Sequence, residues 1–126
     1  MRGRPPRKAL IEAALIAGLR GIFQQADRGP ERLYDFIIAA VFPLAFVKVR
    51  FAERIFESAE ELANEFQKDI RKLRMIAQDP SISPELWLRS RYGKWRFFRV
   101  VADRLIELDR DGKILSLKPG EEVCAG

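Results

Sequence analysis

Histidine is absent from this chain, and cysteine occurs once, at Cys124. The first absence removes Ser-His-Asp and Cys-His catalysis and the commonest zinc ligand. The second removes any intramolecular disulfide and points to a reducing compartment, so the cytoplasm is the expected location. Uninterrupted apolar runs are short. None reaches the ~20 residues of a spanning helix, and the longest, Phe36 to Val47, contains Pro43 and reads as two strands. The opening Met1-Arg2-Gly3-Arg4-Pro5-Pro6-Arg7-Lys8 has the charge of a signal peptide's first region. Glu12 and Arg20 then interrupt the apolar stretch behind it. No membrane partner is expected. Internal repeats and low-complexity segments are also missing.

What is present suits a folded domain. Hydrophobic residues make up 48% and charged residues 33%, with nine Phe and two Trp to fill a core. At 126 residues the chain reads as a single domain spanning 1–126. A basic flexible arm is expected through Arg7 and a frayed tail from Pro119. The formal charge of +5 and a pI near 9.7 favour polyanionic partners, DNA or RNA first among them.

Apolar positions Leu10, Ile11, Ala14, Leu15, Gly18, Leu19, Ile22 and Phe23 recur at three- and four-residue steps, predicting a helix over Lys8–Phe23 with those residues inward. Asp27, Gly29 and Pro30 mark a loop. Two strand-like runs follow, Leu33–Val41 and Ala45–Phe51, around Phe42-Pro43-Leu44, predicting an antiparallel hairpin. Ser58 and Glu61 form a capping box. Behind it Leu62, Phe66, Ile70, Leu73 and Ile76 make one stripe of a helix reaching about Gln78. Early acids and late cations match its dipole. Further strands are predicted at Glu85–Ser90 and Lys94–Val101 around Arg91-Tyr92-Gly93, and at Leu105–Leu108 and Lys113–Leu117 around Asp109–Gly112. The expected fold is therefore α+β: a mixed central sheet of about four to six strands with two main helices packed on it.

An aspartate on the first hairpin strand, Leu33-Tyr34-Asp35-Phe36-Ile37-Ile38, is followed on the second by Phe46-Val47-Lys48-Val49-Arg50. That order resembles the restriction-endonuclease-like superfamily, whose signature is an aspartate on one strand and Glu-x-Lys or Gln-x-Lys on the next. The resemblance covers residues 8 to 80. It implies a restriction-endonuclease-like fold, Asp35 as metal-binding aspartate and Arg50 in the place of the family's lysine. Lys48, however, stands where the second carboxylate belongs, and a lysine repels the magnesium that such hydrolysis requires. What the resemblance implies is a degenerate member that binds nucleic acid or serves as an accessory subunit, with no cofactor. Magnesium enters only if a carboxylate has migrated, for example to Glu61 or Glu65, in which case Asp35, Lys48 and Arg50 are the catalytic candidates.

The same residues have a plain structural reading. A hairpin turning at Phe42-Pro43 sets Asp35 opposite Arg50 and Ile37 opposite Lys48, so Asp35 and Arg50 form an ion pair. The alternative places Lys48 and Arg50 in an anion-facing cluster. Between Leu86 and Arg99, cations interleave with Trp87, Tyr92, Trp95, Phe97 and Phe98. Alternation puts Trp95, Phe97 and Arg99 on one face and Lys94, Arg96 and Phe98 on the other. Either the cations Arg89, Arg91, Lys94 and Arg96 meet phosphates while the rings stack on bases, or the rings fill the core and the cations stay wet. Arg71 and Lys72 on the capped helix are further phosphate candidates. A homodimer that uses the aromatic hairpin as its interface is the remaining expectation.

Overall fold

The computed structural model describes residues 7–26, 32–76 and 78–115; of the arm expected through Arg7, residues 1–6 lie outside the described residues while Arg7 itself begins the first helix, and the tail expected from Pro119 also lies outside them. Helix α1 (Arg7–Arg20) is followed by strands β1 (Ile22–Gln25), β2 (Phe36–Ala39) and β3 (Leu44–Phe51). Helices α2 (Ala59–Glu65) and α3 (Gln67–Arg74) precede β4 (Ile82–Arg89), β5 (Trp95–Val100) and β6 (Leu105–Leu108). The six strands form one mixed sheet in sequence order. Neighbours are antiparallel except β3 and β4, which run parallel because α2 and α3 supply the crossover between them. β4 is buried along nearly its whole length, as a strand covered on both faces must be. The α+β architecture with a mixed sheet is therefore as expected from the sequence. Among the described residues no helix is long and apolar enough to cross a membrane.

Each sheet face carries its own core. Beneath α1, Ala9, Ala13, Ile16 and Ala17 pack on Phe36, Ile38, Val47, Val49, Trp87 and Phe97. On the other face Leu62, Phe66, Ile70 and Leu73 of the second helical arm cover Leu86, Leu88, Phe98 and Val100. Helix α1 departs from expectation twice. It ends at Arg20, and Ile22–Gln25 form an edge strand. The break falls at Gly21, where a Cβ would run into the carbonyl oxygen of Ala39 and the side chain of Ile38. The helix is also rotated: Ile11, Leu15 and Leu19 are 56%, 71% and 82% exposed, while the alanines face the sheet. Small residues let the helix lie close over the strands. Glu12 and the helix's last residue, Arg20, find partners beneath it, which an outward rotation would forfeit.

The second helical arm begins with the expected capping box: Glu61 N–H donates to Ser58 Oγ at 3.1 Å, and Ser58 N–H donates to Glu61 Oε1 at 3.1 Å. It is not one helix, because Phe66 (φ −106°, ψ 28°) divides α2 from α3. The Leu62–Ile76 stripe is nonetheless buried throughout, as expected. In the β2–β3 hairpin the reversal is centred between Val41 and Phe42, one residue earlier than expected. Ile37 consequently faces Phe46 instead of Lys48. Ala40 takes φ 59° in that turn, and the Phe42–Pro43 peptide is cis. β4 starts at Ile82, three residues early, and Pro84 is accommodated because pairing with β5 begins only at Glu85. Gly93 and Gly112 take positive φ in the two expected turns. Of the strand expected at Lys113–Leu117, the described part contributes a single bridge, Ile114 to Leu108.

Candidate functional site

Alternation along β3 sends Val47 and Val49 to the α1 face and Lys48 and Arg50 to the α3 face. Asp35, immediately before β2, turns its carboxylate to the same side. Its own amide donates to the Val47 carbonyl at 2.7 Å, and its Oδ2 accepts from the Val49 amide at 2.8 Å. The strand ladder thus holds this carboxylate rigidly. Arg50 Nη1 donates to the same Oδ2 at 3.0 Å, and its Nε donates to Asp69 Oδ1 on α3, also at 3.0 Å. Lys48 Nζ stands 3.5 Å from Asp69 Oδ1, and Arg32 Nη2 lies 3.3 Å from the buried Asp35 Oδ1 without hydrogen-bond geometry. Lys48 and Arg50 are 2% and 7% exposed. Burial holds the Lys48 ammonium below its ordinary range, and the adjacent Arg50 charge pushes the same way.

The Asp35–Arg50 ion pair expected from the sequence is present, although the register behind it is shifted. The second carboxylate at this site is Asp69, not Glu61 or Glu65. Glu61 is spent on the capping box. Nothing local in the sequence marks Asp69, since it lies beside the apolar stripe 34 residues from Asp35. The two carboxylates converge, but a guanidinium bridges them and an ammonium stands alongside. A magnesium ion needs that space filled by oxygen ligands and water. These donors do not fit it. Among the described residues no three acidic or thiol side chains gather as a metal-binding group.

The cations of the aromatic hairpin divide into inner and outer sets. Arg89 donates to both carboxylate oxygens of Glu12, at 2.9 and 3.0 Å, and Trp95 Nε1 adds a third bond at 3.1 Å. The Arg89 and Trp95 bonds hold the Glu12 carboxyl down at about 2. Arg96 grips Glu107 with two bonds, and its Nη1 also donates to the carbonyls of Ile55 and Glu57, at 2.8 and 2.7 Å. Trp87, Trp95 and Phe97 form a mutually packed cluster on the α1 face, and Phe98 packs on the other. The expected alternation of faces holds, and these rings are core.

Arg91 and Lys94 are different: both are exposed, and neither side chain makes an ion pair or hydrogen bond among the described residues. They line a cleft of about 590 Å³ at the carboxyl ends of β3 and β4, together with Glu53, Arg54, Ile55, Phe56, Glu57, Ser90 and Tyr92. Sequence reasoning missed Arg54 and Phe56, which sit in the irregular segment between β3 and α2. Helix α1 runs antiparallel to β4, since Glu12 meets Arg89 and Arg20 meets Glu85. One turn before Glu12, the exposed Arg7 and Lys8 therefore lie toward the same end of the molecule. Arg71 is exposed and Lys72 half-buried on α3, apart from this cleft. No family model matches the chain, and no curated protein or solved structure matches it significantly.

Proposed function

We propose that this chain is a nuclease-like domain without metal-dependent cleavage that binds nucleic acid at the cleft between the 52–58 loop and the β4–β5 turn. The observation that carries the reading is the cleft itself: Arg54, Arg91 and Lys94 line it, and Arg7 and Lys8 lie toward the same end. Phosphate-driven binding needs solvent-facing cations. Lys48, Arg50, Arg89 and Arg96 are committed to protein partners; Arg91 and Lys94 are available. Arg54 pairs with Glu57 at 3.6 Å, an exposed contact worth at most ~1 kcal/mol and so readily exchanged for a phosphate. The lack of cleavage follows from Arg50 bridging Asp35 and Asp69. The nuclease-like part of the reading is supported by the order of α1, three antiparallel strands, a helical crossover and a parallel strand around that pair.

Gel mobility shifts with DNA and RNA, at about 50 and 200 mM salt, test it. Expected are binding that weakens steeply with salt, a loss in Arg91→Gln/Lys94→Gln, and intact nucleic acid after incubation with Mg²⁺. No binding at the lower salt removes the reading. Cleavage that disappears in Asp35→Ala removes its non-catalytic half in favour of a magnesium nuclease using Asp69.

A second reading, a homodimer, is favoured by one observation. Ile11, Leu15 and Leu19 make an exposed apolar stripe on α1; the aromatic hairpin first expected as the interface is largely core. Sedimentation of the wild type beside Leu15→Lys decides it.

A further inference from the structure

The aromatic residues of the cleft carry a statement about which form of nucleic acid it takes. Phe56 and Tyr92 are 80% and 88% exposed. Exposing one large apolar side chain is ordinary. Here two rings line one cleft together with three cations, and neither makes a ring contact among the described residues.

Both rings are held out by rigid backbone. Arg96 Nη1 binds the carbonyls on either side of Phe56, those of Ile55 and Glu57. Ile55 is thereby anchored inward, 4% exposed, while Phe56 is turned to solvent. Tyr92 stands on the tip of a turn closed by Ser90 N–H to Lys94 O (2.8 Å), Gly93 N–H to Ser90 O (3.2 Å) and Lys94 N–H to Ser90 Oγ (3.0 Å). Gly93 at φ 86° completes the turn, and nothing in that geometry needs a tyrosine. A ring held in water forgoes roughly 1.5–3 kcal/mol of burial. Ligand binding on a pre-ordered platform loses little further entropy.

Duplex DNA keeps its base faces inside the stack and offers such rings nothing. Unpaired bases present a π-face that stacks on any aromatic side chain. On the nucleic-acid reading above, we therefore infer that the cleft takes single-stranded nucleic acid, with Phe56 and Tyr92 stacking unpaired bases while Arg54, Arg91 and Lys94 track the phosphates. Arg96 is a positioning residue, acting through the loop that bears Phe56.

Fluorescence anisotropy with a labelled thymidine homopolymer and with a duplex of equal length provides the test. Four proteins are compared: wild type, Phe56→Ala/Tyr92→Ala, Phe56→Trp/Tyr92→Trp and Arg91→Gln/Lys94→Gln. The expected result is tighter binding of the single strand by wild type and a loss of about tenfold or more in the alanine pair. The tryptophan pair restores affinity, and the dependence on salt is the same in the alanine pair as in wild type. The arginine–lysine variant weakens both ligands and flattens the salt dependence. Equal binding of single strand and duplex, or single-strand binding indifferent to the alanine pair, overturns this inference and leaves the phosphate-binding reading standing. No binding of either ligand by wild type overturns both.

Discussion

Arg20 and Glu85, 65 residues apart, meet through two hydrogen bonds of 2.9 and 3.0 Å beneath α1, with the glutamate side chain wholly buried. The carboxylate is saturated. Ser83 Oγ donates to Oε2 at 2.8 Å and Trp87 Nε1 to Oε1 at 2.9 Å, while Arg99 Nε donates in turn to Ser83 Oγ. A buried ion pair of this kind contributes little net stability, but removing one partner strands the other. Glu85→Ala is expected to lower the unfolding free energy by about 3–5 kcal/mol. Arg20→Met/Glu85→Met should recover part of that loss, short of wild type because Ser83 and Trp87 lose their acceptor. Urea titrations of the single and double variants measure it. A single-variant loss below about 1 kcal/mol is incompatible with a carboxylate buried this completely.

Lys48 makes a prediction of opposite sign. Its folded-state pKa lies below the ordinary 10.5, chiefly because it is buried. Between that lowered value and 10.5 the unfolded chain holds more protons, so stability rises with pH across this window. Lys48→Met removes that rise, leaving a flatter alkaline profile than wild type. At pH 7 the variant is expected to be neutral or up to ~2 kcal/mol more stable, since Asp69 keeps Arg50 as its partner. Urea midpoints at pH 7 and pH 9.5 would refute this if the variant proved markedly weaker at pH 7.

Glu12 works at the acid end. Bonds from Arg89 and Trp95 lower its pKa to about 2, against 4.5 in the unfolded chain. A lowered carboxyl contributes stability that is complete above 4.5 and lost as pH falls toward 2. Glu12→Gln should therefore be weaker than wild type at pH 7, and the gap should close steadily below pH 4.5. Thermal melts from pH 6 to pH 2.5 report that gap directly; one that stays constant contradicts the assignment.

What was legible in the sequence depended on how local the cause was. The Ser58–Glu61 capping box and the Gly93 and Gly112 turns are each decided within a few residues, and all three are present. The facing of α1 is not local. Its residues are apolar almost all round, so spacing alone fits either rotation. The deciding groups, Glu85 and Arg89, lie more than sixty residues away. The Asp35–Arg50 pair was foreseeable because both residues sit on adjoining runs, whereas Asp69 reaches the site only through the crossover. The free aromatic ring of Tyr92 looked no different in sequence from Trp95 or Phe97, which belong to the core. Exposure separated them, and exposure is a property of the packed sheet.

Ala40 holds φ 59° in the β2–β3 turn, a left-handed conformation that disfavours any side chain bearing a Cβ by roughly 1 kcal/mol. Ala40→Gly removes that strain, and the entropy glycine adds to the unfolded chain offsets part of the gain. The variant is expected to match or exceed wild-type stability by up to ~1 kcal/mol in urea. A loss beyond about 0.5 kcal/mol would mean that the turn is not left-handed at Ala40.

The rotation of α1 gives the sharpest contrast between neighbouring positions. Leu15 and Leu19 face solvent, so Leu15→Lys or Leu19→Lys should change monomer stability by less than about 0.5 kcal/mol. Ala13 and Ala17 are wholly buried against the sheet, and Ala13→Leu or Ala17→Leu should overpack that contact at a cost of about 1–3 kcal/mol. Opposite outcomes would restore the rotation that hydrophobic spacing first suggested. If the stripe is instead a dimer interface, the two lysine variants separate the cases again. Their unfolding transitions would lose the dependence on protein concentration that an associating wild type must show. A monomeric wild type and indifferent lysine variants leave Ile11, Leu15 and Leu19 as solvent-facing residues of a helix held down by its alanines, Ile16, Glu12 and Arg20.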